Sequence, residues 1–184
     1  MTIKTPVLFL LFLSLTSLLY SQQRYFTKNG NISFAAGSGE DIDGVNKTTT
    51  SVFDATTGQI EFAVLVKGFE FKRSLMQAHF NENYMESEKY PKSIFKGTIS
   101  NINTVNFKKD GLYPVTVKGI LDMHGIKKEL QAAGTLKVTG ETVSTNAAFT
   151  VLLADYNIEI PSLVKDKISK TVTIKVNCNY NVLK

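Results

Sequence analysis

The chain has 184 residues, with 21 Lys and Arg against 16 Asp and Glu, a formal net charge of +5 at neutral pH. Its lysines are scattered, with no run beyond pairs such as Lys108-Lys109 and Lys127-Lys128, and tryptophan is absent. That pattern describes a solvated basic surface and argues against a nucleic-acid partner. The single cysteine, Cys178, excludes an internal disulfide framework, which a chain of this length does not need.

Residues 1–21 read as a leader. Lys4 precedes the apolar run VLFLLFLSLTSLL from Val7 to Leu19, and Ser21 supplies the small residue expected at a cleavage point. The run is shorter than the roughly 20 residues of a membrane-crossing helix. The expectation is a signal peptide over 1–21, export to a periplasmic or secreted location, and one domain over 22–184 without stable membrane insertion.

The mature chain is dominated by a period of two, the signature of strands with one buried face. Runs near 31–35, 45–53, 59–67, 94–104, 112–123, 126–138, 142–154 and 170–181 predict eight strands. Ile60, Phe62, Val64 and Val66 share one side of the third, and Val115, Val117, Gly119 and Leu121 share one side of the fifth. Leu130, Ala132, Gly134, Leu136 and Val138 repeat the pattern, as do Val172, Ile174, Val176, Cys178 and Tyr180. Cys178 therefore reads as a buried thiol, not a nucleophile. Thr57-Gly58, Asp110-Gly111, His124-Gly125 and Gly140-Glu141 mark reversals between the runs. The fold class is all-β: an eight-stranded antiparallel up-and-down barrel, with a sandwich as the alternative.

One stretch breaks the period. In SLMQAHFNENYMESEKYP, Ser74 and Gln77 are spaced as a capping box, and Met76, Phe80 and Tyr84 recur along one stripe. Pro91 ends the helical pattern at Tyr90. This predicts a helix of two to three turns inserted between strands, plugging one end of the barrel. A shorter helical turn is expected at 162–167, after Pro161.

The same stretch places His79, Glu82 and Glu86 on one helical face, which raises metal binding or metal-assisted catalysis as an alternative. Their context of Asn81, Asn83, Ser87 and Glu88 favours a solvated face instead. His124 lies in a predicted turn, where its ring can bond nearby backbone. Asp54, Glu70, Asp122 and Asp155 are scattered near turns, and no nucleophile elbow, zincin helix or phosphate loop occurs. No catalytic or metal-ligating set is assigned. An outer-membrane barrel is disfavoured because Glu61–Leu65 and Phe149–Leu153 are apolar on both faces and aromatic girdles are missing.

An eight-stranded barrel is wide enough to hold one small ligand. Phe62, Val64, Phe95, Ile99, Val115, Val117, Phe149 and Val151 have the parity to line one interior, with Leu75, Met76, Phe80 and Tyr84 closing its end. Pattern alone leaves two readings open, a filled core and a ligand cavity.

Three stretches, FEFKRSLMQAHFNENYMESEKYPKSIFKGTI, YPVTVKGILDMHGIKKEL and AAFTVLLADYNIEIPSLVKDKISKTVTIKV, resemble the YceI-like family, particularly its secreted members in Bacteroidetes-type bacteria. The matching positions are Phe95 and Gly97 after Tyr90-Pro91, Gly119, Leu121, His124 and Gly125 around one hairpin, and Asp155-Tyr156. Members of the wider family often carry histidines in the strand corresponding to Glu61–Val66, where this chain has none. The resemblance implies a lipocalin-like barrel with a hydrophobic tunnel, and binding, sequestration or transport of a polyisoprenoid or isoprenoid quinone. It carries no catalytic motif. It implies no cofactor other than such a lipid, and an apolar small-molecule partner; the oligomeric state, monomer or dimer, is left open by the sequence. A ligand-free interaction module of the cell envelope is the remaining alternative.

Overall fold

The computed structural model describes residues 23–37 and 43–183; the leader expected over 1–21 lies outside them. Nine strands follow in order: β1 (Arg24–Gly37), β2 (Asp43–Asp54), β3 (Gln59–Leu65), β4 (Phe69–Phe71), β5 (Lys92–Ile99), β6 (Gly111–Met123), β7 (Ile126–Thr139), β8 (Thr142–Leu152) and β9 (Ile168–Val182). Helix α1 (Ser74–His79) lies between β4 and β5 and continues as a wider π-turn over Phe80–Tyr84. All pairings are antiparallel, and β1 bonds to both β2 and β9, so eight strands close into an up-and-down barrel. The three-residue β4 pairs with β2 at Gly44–Asn46, beyond the stretch where β2 meets β3. Closure of all eight strands into one ring sets the sandwich aside.

Strand ends shift where the alternation breaks. β1 starts at Arg24, well before the predicted 31, because register shifts between Thr27 and Ile32 disrupt its period. The predicted third strand stops at Leu65, and Val66–Gly68 forms a 3₁₀ turn leading into β4. The strands predicted to reach 104 and 154 end at Ile99 and Leu152, each followed by 3₁₀ geometry. Between β6 and β7, His124 (φ 52°) and Gly125 (φ 75°) make a two-residue turn of the type whose twist suits a hairpin.

Aromatic side chains fill both ends. At one, Tyr25 stacks on Phe53 at 4.8 Å and on Phe107 at 5.5 Å, while Tyr180 meets Phe53 edge-on at 5.1 Å. Leu136, Val138 and Val143 complete this floor, all essentially inaccessible. The Tyr180 hydroxyl donates to Ser51 Oγ at 2.9 Å, and Ser51 donates to the Glu61 carbonyl at 2.8 Å, so the buried polar atoms are paired.

At the other end α1 brings Phe80 against Phe34, Phe69 and Phe71, with centroids 5.0–5.5 Å away. The capping box does not form. The helix begins at Ser74 itself, with Arg73 as the residue before it and no side-chain cap; Gln77 Oε1 instead accepts from the Phe71 N–H at 3.3 Å. Past the helix, Glu86 (φ 41°) meets the buried His124: Nε2 is 3.0 Å from Glu86 Oε2 and Nδ1 is 2.8 Å from the Tyr156 carbonyl. The ring bridges the carboxylate and the carbonyl. This joins the helix end, the β6–β7 hairpin and the turn after β8.

The floor separates packing from hydrogen bonding. Tyr180→Ala is expected to destabilise the fold by about 3–5 kcal/mol, and Tyr180→Phe by about 1 kcal/mol, both read from urea-denaturation midpoints. Equal losses would mean that the hydroxyl, not the ring, holds this end.

Candidate functional site

Between the two aromatic ends lies a cavity of about 110 Å³. Ile60, Phe62 and Val64 of β3, Ser93, Phe95 and Ile99 of β5, and Val115, Val117 and Leu121 of β6 form one wall. Leu130, Ala132, Gly134 and Leu136 of β7 and Thr145, Ala147 and Phe149 of β8 form the other, with Ile32 and Val176 between. No charged side chain lines it. The polar residues of its lining are Ser93, Thr135, Thr145 and Asn146.

The space exists because one wall is built from small residues. Ala132, Gly134 and Ala147 leave room that larger side chains would occupy. Elsewhere glycine serves the opposite end. Gly97 and Gly119 face each other across β5 and β6, and a Cβ at either would come within 2.8 Å of the Phe95 ring. Their bareness lets that ring lie flat over the strands and fill the bore on its side.

Seven of the interior positions proposed from sequence border this cavity: Phe62, Val64, Phe95, Ile99, Val115, Val117 and Phe149. Val151 is buried but does not line it. Of the helix residues, Phe80 and Tyr84 pack on the core from outside the cavity, Met76 is half-buried, and Leu75 is 54% exposed. The half of the wall from β7 was missed as lining, although its inward parity was legible; nothing in the pattern distinguishes a bore-facing alanine from a filler.

The alternative chemistry does not assemble. Glu86 has left the helix for His124, so His79, Glu82 and Glu86 do not share a face. Among the described residues no three His, Cys, Asp or Glu side chains converge to hold a metal. Asp54 is a turn-former: its Oδ1 accepts from the Thr56 and Thr57 N–H groups, both at 2.8 Å. Burial alone would raise its carboxyl, but those bonds and the Arg24 charge outweigh it and hold the group below its usual range. A second hollow, of about 430 Å³, opens on the outer wall where the β1–β9 ladder is interrupted; exposed Lys28, Asn29, Asn179 and Asn181 line it, so water competes for every group there.

The sequence profile of the YceI-like domain matches residues 25–180. The chain belongs to this family. No curated protein sequence matches it significantly. Among solved structures it resembles a polyisoprenoid-binding domain from Saccharophagus degradans implicated in plant cell wall breakdown, with a TM-score of 0.73 at 13% identity over 88% of this chain and 99% of that one. It also resembles BcnA of Burkholderia cenocepacia, with a TM-score of 0.68 at 15% identity over 82% of this chain and 95% of that one. A Campylobacter jejuni YceI protein follows at 0.61 and 10% identity, over 80% and 88% of the two chains. At these identities the likeness is one of fold.

Cys178 sits beside the floor and is buried, and that burial pushes its thiol up to about 11. At pH 8 the folded protein should react with a disulfide reagent such as DTNB on the order of a hundredfold more slowly than the urea-unfolded chain, because little thiolate is present. The unfolded chain ionises first, so this group's contribution to stability is full below its ordinary range and falls as pH rises toward 11. Rapid labelling at pH 8 without unfolding would place the thiol at the surface.

Proposed function

We propose that this protein binds, and thereby sequesters or transports, a long apolar lipid of the polyisoprenoid or isoprenoid-quinone type inside its barrel. It would act after export, as a periplasmic or secreted carrier working by burial and not by catalysis. One observation carries the reading: the barrel encloses an apolar cavity with no charged side chain in its lining. Family membership and the described ligand of the Saccharophagus neighbour support the same class of molecule. The contacts we assign are Phe62, Val64, Phe95, Ile99, Val115, Val117 and Phe149 around the cavity, with Val151 and the helix residues Leu75, Met76, Phe80 and Tyr84 engaged by a longer chain.

Each buried methylene contributes about 0.8 kcal/mol, so a prenyl chain is held without a dedicated polar contact. A cavity of about 110 Å³ is below the roughly 300–1,000 Å³ of ordinary ligand sites. A long chain therefore enlarges it by turning aside side chains that are only half-buried, among them Phe62, Val117 and Phe149.

Native mass spectrometry of the exported protein, followed by organic extraction, tests this directly: a co-purifying apolar lipid is expected, with geranylgeraniol taken up by the delipidated protein. Val117→Asp, which puts a carboxylate into the bore, should weaken that uptake by at least about tenfold, while Lys118→Asp on the outer face should not. No extractable lipid and no uptake of geranylgeraniol or a prenyl quinone would sink the proposal.

A further inference from the structure

The barrel wall is not continuous. β7 pairs with β6 along its whole length, from Met123↔Ile126 to Gly111↔Val138, and β8 pairs with β9 from Val143↔Tyr180 to Leu152↔Thr171. β7 and β8 pair with each other only from Thr139↔Thr142 to Gly134↔Ala147. Beyond that point residues 126–133 of β7 and 148–152 of β8 run on without a shared ladder. The ladder stops among Ala132, Ala133, Gly134, Ala147 and Ala148, whose small side chains give little cross-strand contact to hold two strands together. Above, the gap is bounded by the turn after β8, where Lys128 Nζ lies 3.3 Å from Asp155 Oδ1 and the Tyr156 carbonyl meets His124.

The cavity reaches this gap. Its lining includes Thr135 and Asn146, a cross-strand pair whose neighbours Leu136 and Thr145 point inward, so both belong by parity to the outer face. Inward-facing residues beside the gap, such as Ala132, Ala147 and Phe149, are half-buried; across the bore Phe95, Ile99 and Val115 are buried, and Phe62 and Val117 are half-buried. The two ends of the bore are occupied by the aromatic floor and by Phe80 packed on its three phenylalanines.

We propose that the cavity is loaded sideways, through the gap between the unpaired halves of β7 and β8, and that Thr135 and Asn146 at its lower lip hold the polar end of the chain. This rests on the lipid-binding reading above. The chain enters tail first and its hydroxyl or carbonyl head stays at the lip, where Asn146 offers both a donor and an acceptor and Thr135 a hydroxyl. The two lip side chains are uncharged, which suits a neutral head; Lys137 and Lys175 lie on the same outer face, so a phosphate head is the competing outcome of the test.

The test uses the full-length protein, delipidated, with geranylgeraniol as probe. Ala133→Cys/Ala148→Cys, both exposed and next in register after Gly134↔Ala147, provides a disulfide across the gap. Oxidation should slow uptake by about tenfold or more, reversed by reductant. Thr139→Cys/Thr142→Cys, both exposed and already paired at the far end of the same ladder, should leave the rate of uptake unchanged on oxidation. Uptake unaffected by the first staple overturns the side entrance. Hydrogen–deuterium exchange covers the case in which that disulfide does not form: probe-dependent protection is expected in 126–133 and 148–152, and protection confined to 74–86 would assign entry to the helix end and overturn the proposal. For the head, Asn146→Leu should weaken geranylgeraniol by about three- to tenfold and leave squalene, which has no head, unchanged. Equal weakening of both, or tighter binding of geranylgeranyl phosphate than of the alcohol, overturns that assignment. Failure of every variant and of the wild type to bind any of these probes would instead strike the lipid-binding reading itself.

Discussion

Eight strands close around an interior barely wider than the side chains that point into it, so the placement of large and small residues decides where the barrel is solid and where it is hollow. Tyr25, Phe53, Phe107 and Tyr180 make one end solid, and Phe34, Phe69, Phe71 and Phe80 the other. Between them Phe95 lies across Gly97 and Gly119 and fills the β5–β6 side. The hollow is left to the side where Ala132, Gly134 and Ala147 face inward. The same small residues do two things at once: they vacate the bore, and they weaken the side-chain contact between β7 and β8 at the point where the ladder between those strands ends.

Buried polar groups in this barrel are accounted for mainly as structure. Asn46 donates to the Leu65 carbonyl at 2.9 Å and accepts from the Thr48 N–H at 2.9 Å, holding the turn that lets β2 change partner from β3 to β4. Ser51 and Tyr180 link neighbouring walls near the floor, and His124 ties three loops together at the opposite end. Such pairing is what low-dielectric surroundings demand. Thr145 is the buried polar group nearest the cavity: its residue lines the bore, and its hydroxyl lies beside that of Tyr180.

The all-β class, the meander order and most inward-facing positions were legible because strand parity is a strict period-two signal. Val172 to Tyr180 alternates without a break and forms the inner face of β9. What escaped was set by tertiary geometry. The start of β1 is hidden by register shifts near Gly30, where a Cβ would meet the Cys178 sulfur at 2.7 Å. Phe107 sits in a loop with no period at all, yet it stacks on Tyr25 from the floor. Ser74 and Gln77 have capping-box spacing, but the backbone enters the helix one residue earlier than that motif requires, and Gln77 turns back to β4. The cavity itself was not legible: Ala132, Gly134 and Ala147 read as ordinary small core residues until their neighbours are known.

The narrowness of the cavity follows from stability and does not argue against a long ligand. A dry apolar void costs roughly 24 cal/mol per Å³, so the 110 Å³ here costs about 2–3 kcal/mol. A permanent void of about 300 Å³ would cost about 7 kcal/mol, comparable to the 5–15 kcal/mol that holds a domain together. A barrel that takes up a lipid as proposed must survive both with and without it, and cannot keep a wide bore standing open. It needs a wall that gives way only when hydrocarbon arrives to fill the space. In a closed ladder that means breaking backbone hydrogen bonds, unless one pair of strands has already given them up. β7 and β8 have done so along residues 126–133 and 148–152, which makes the gap between them the place where the bore widens at least expense to the rest of the fold.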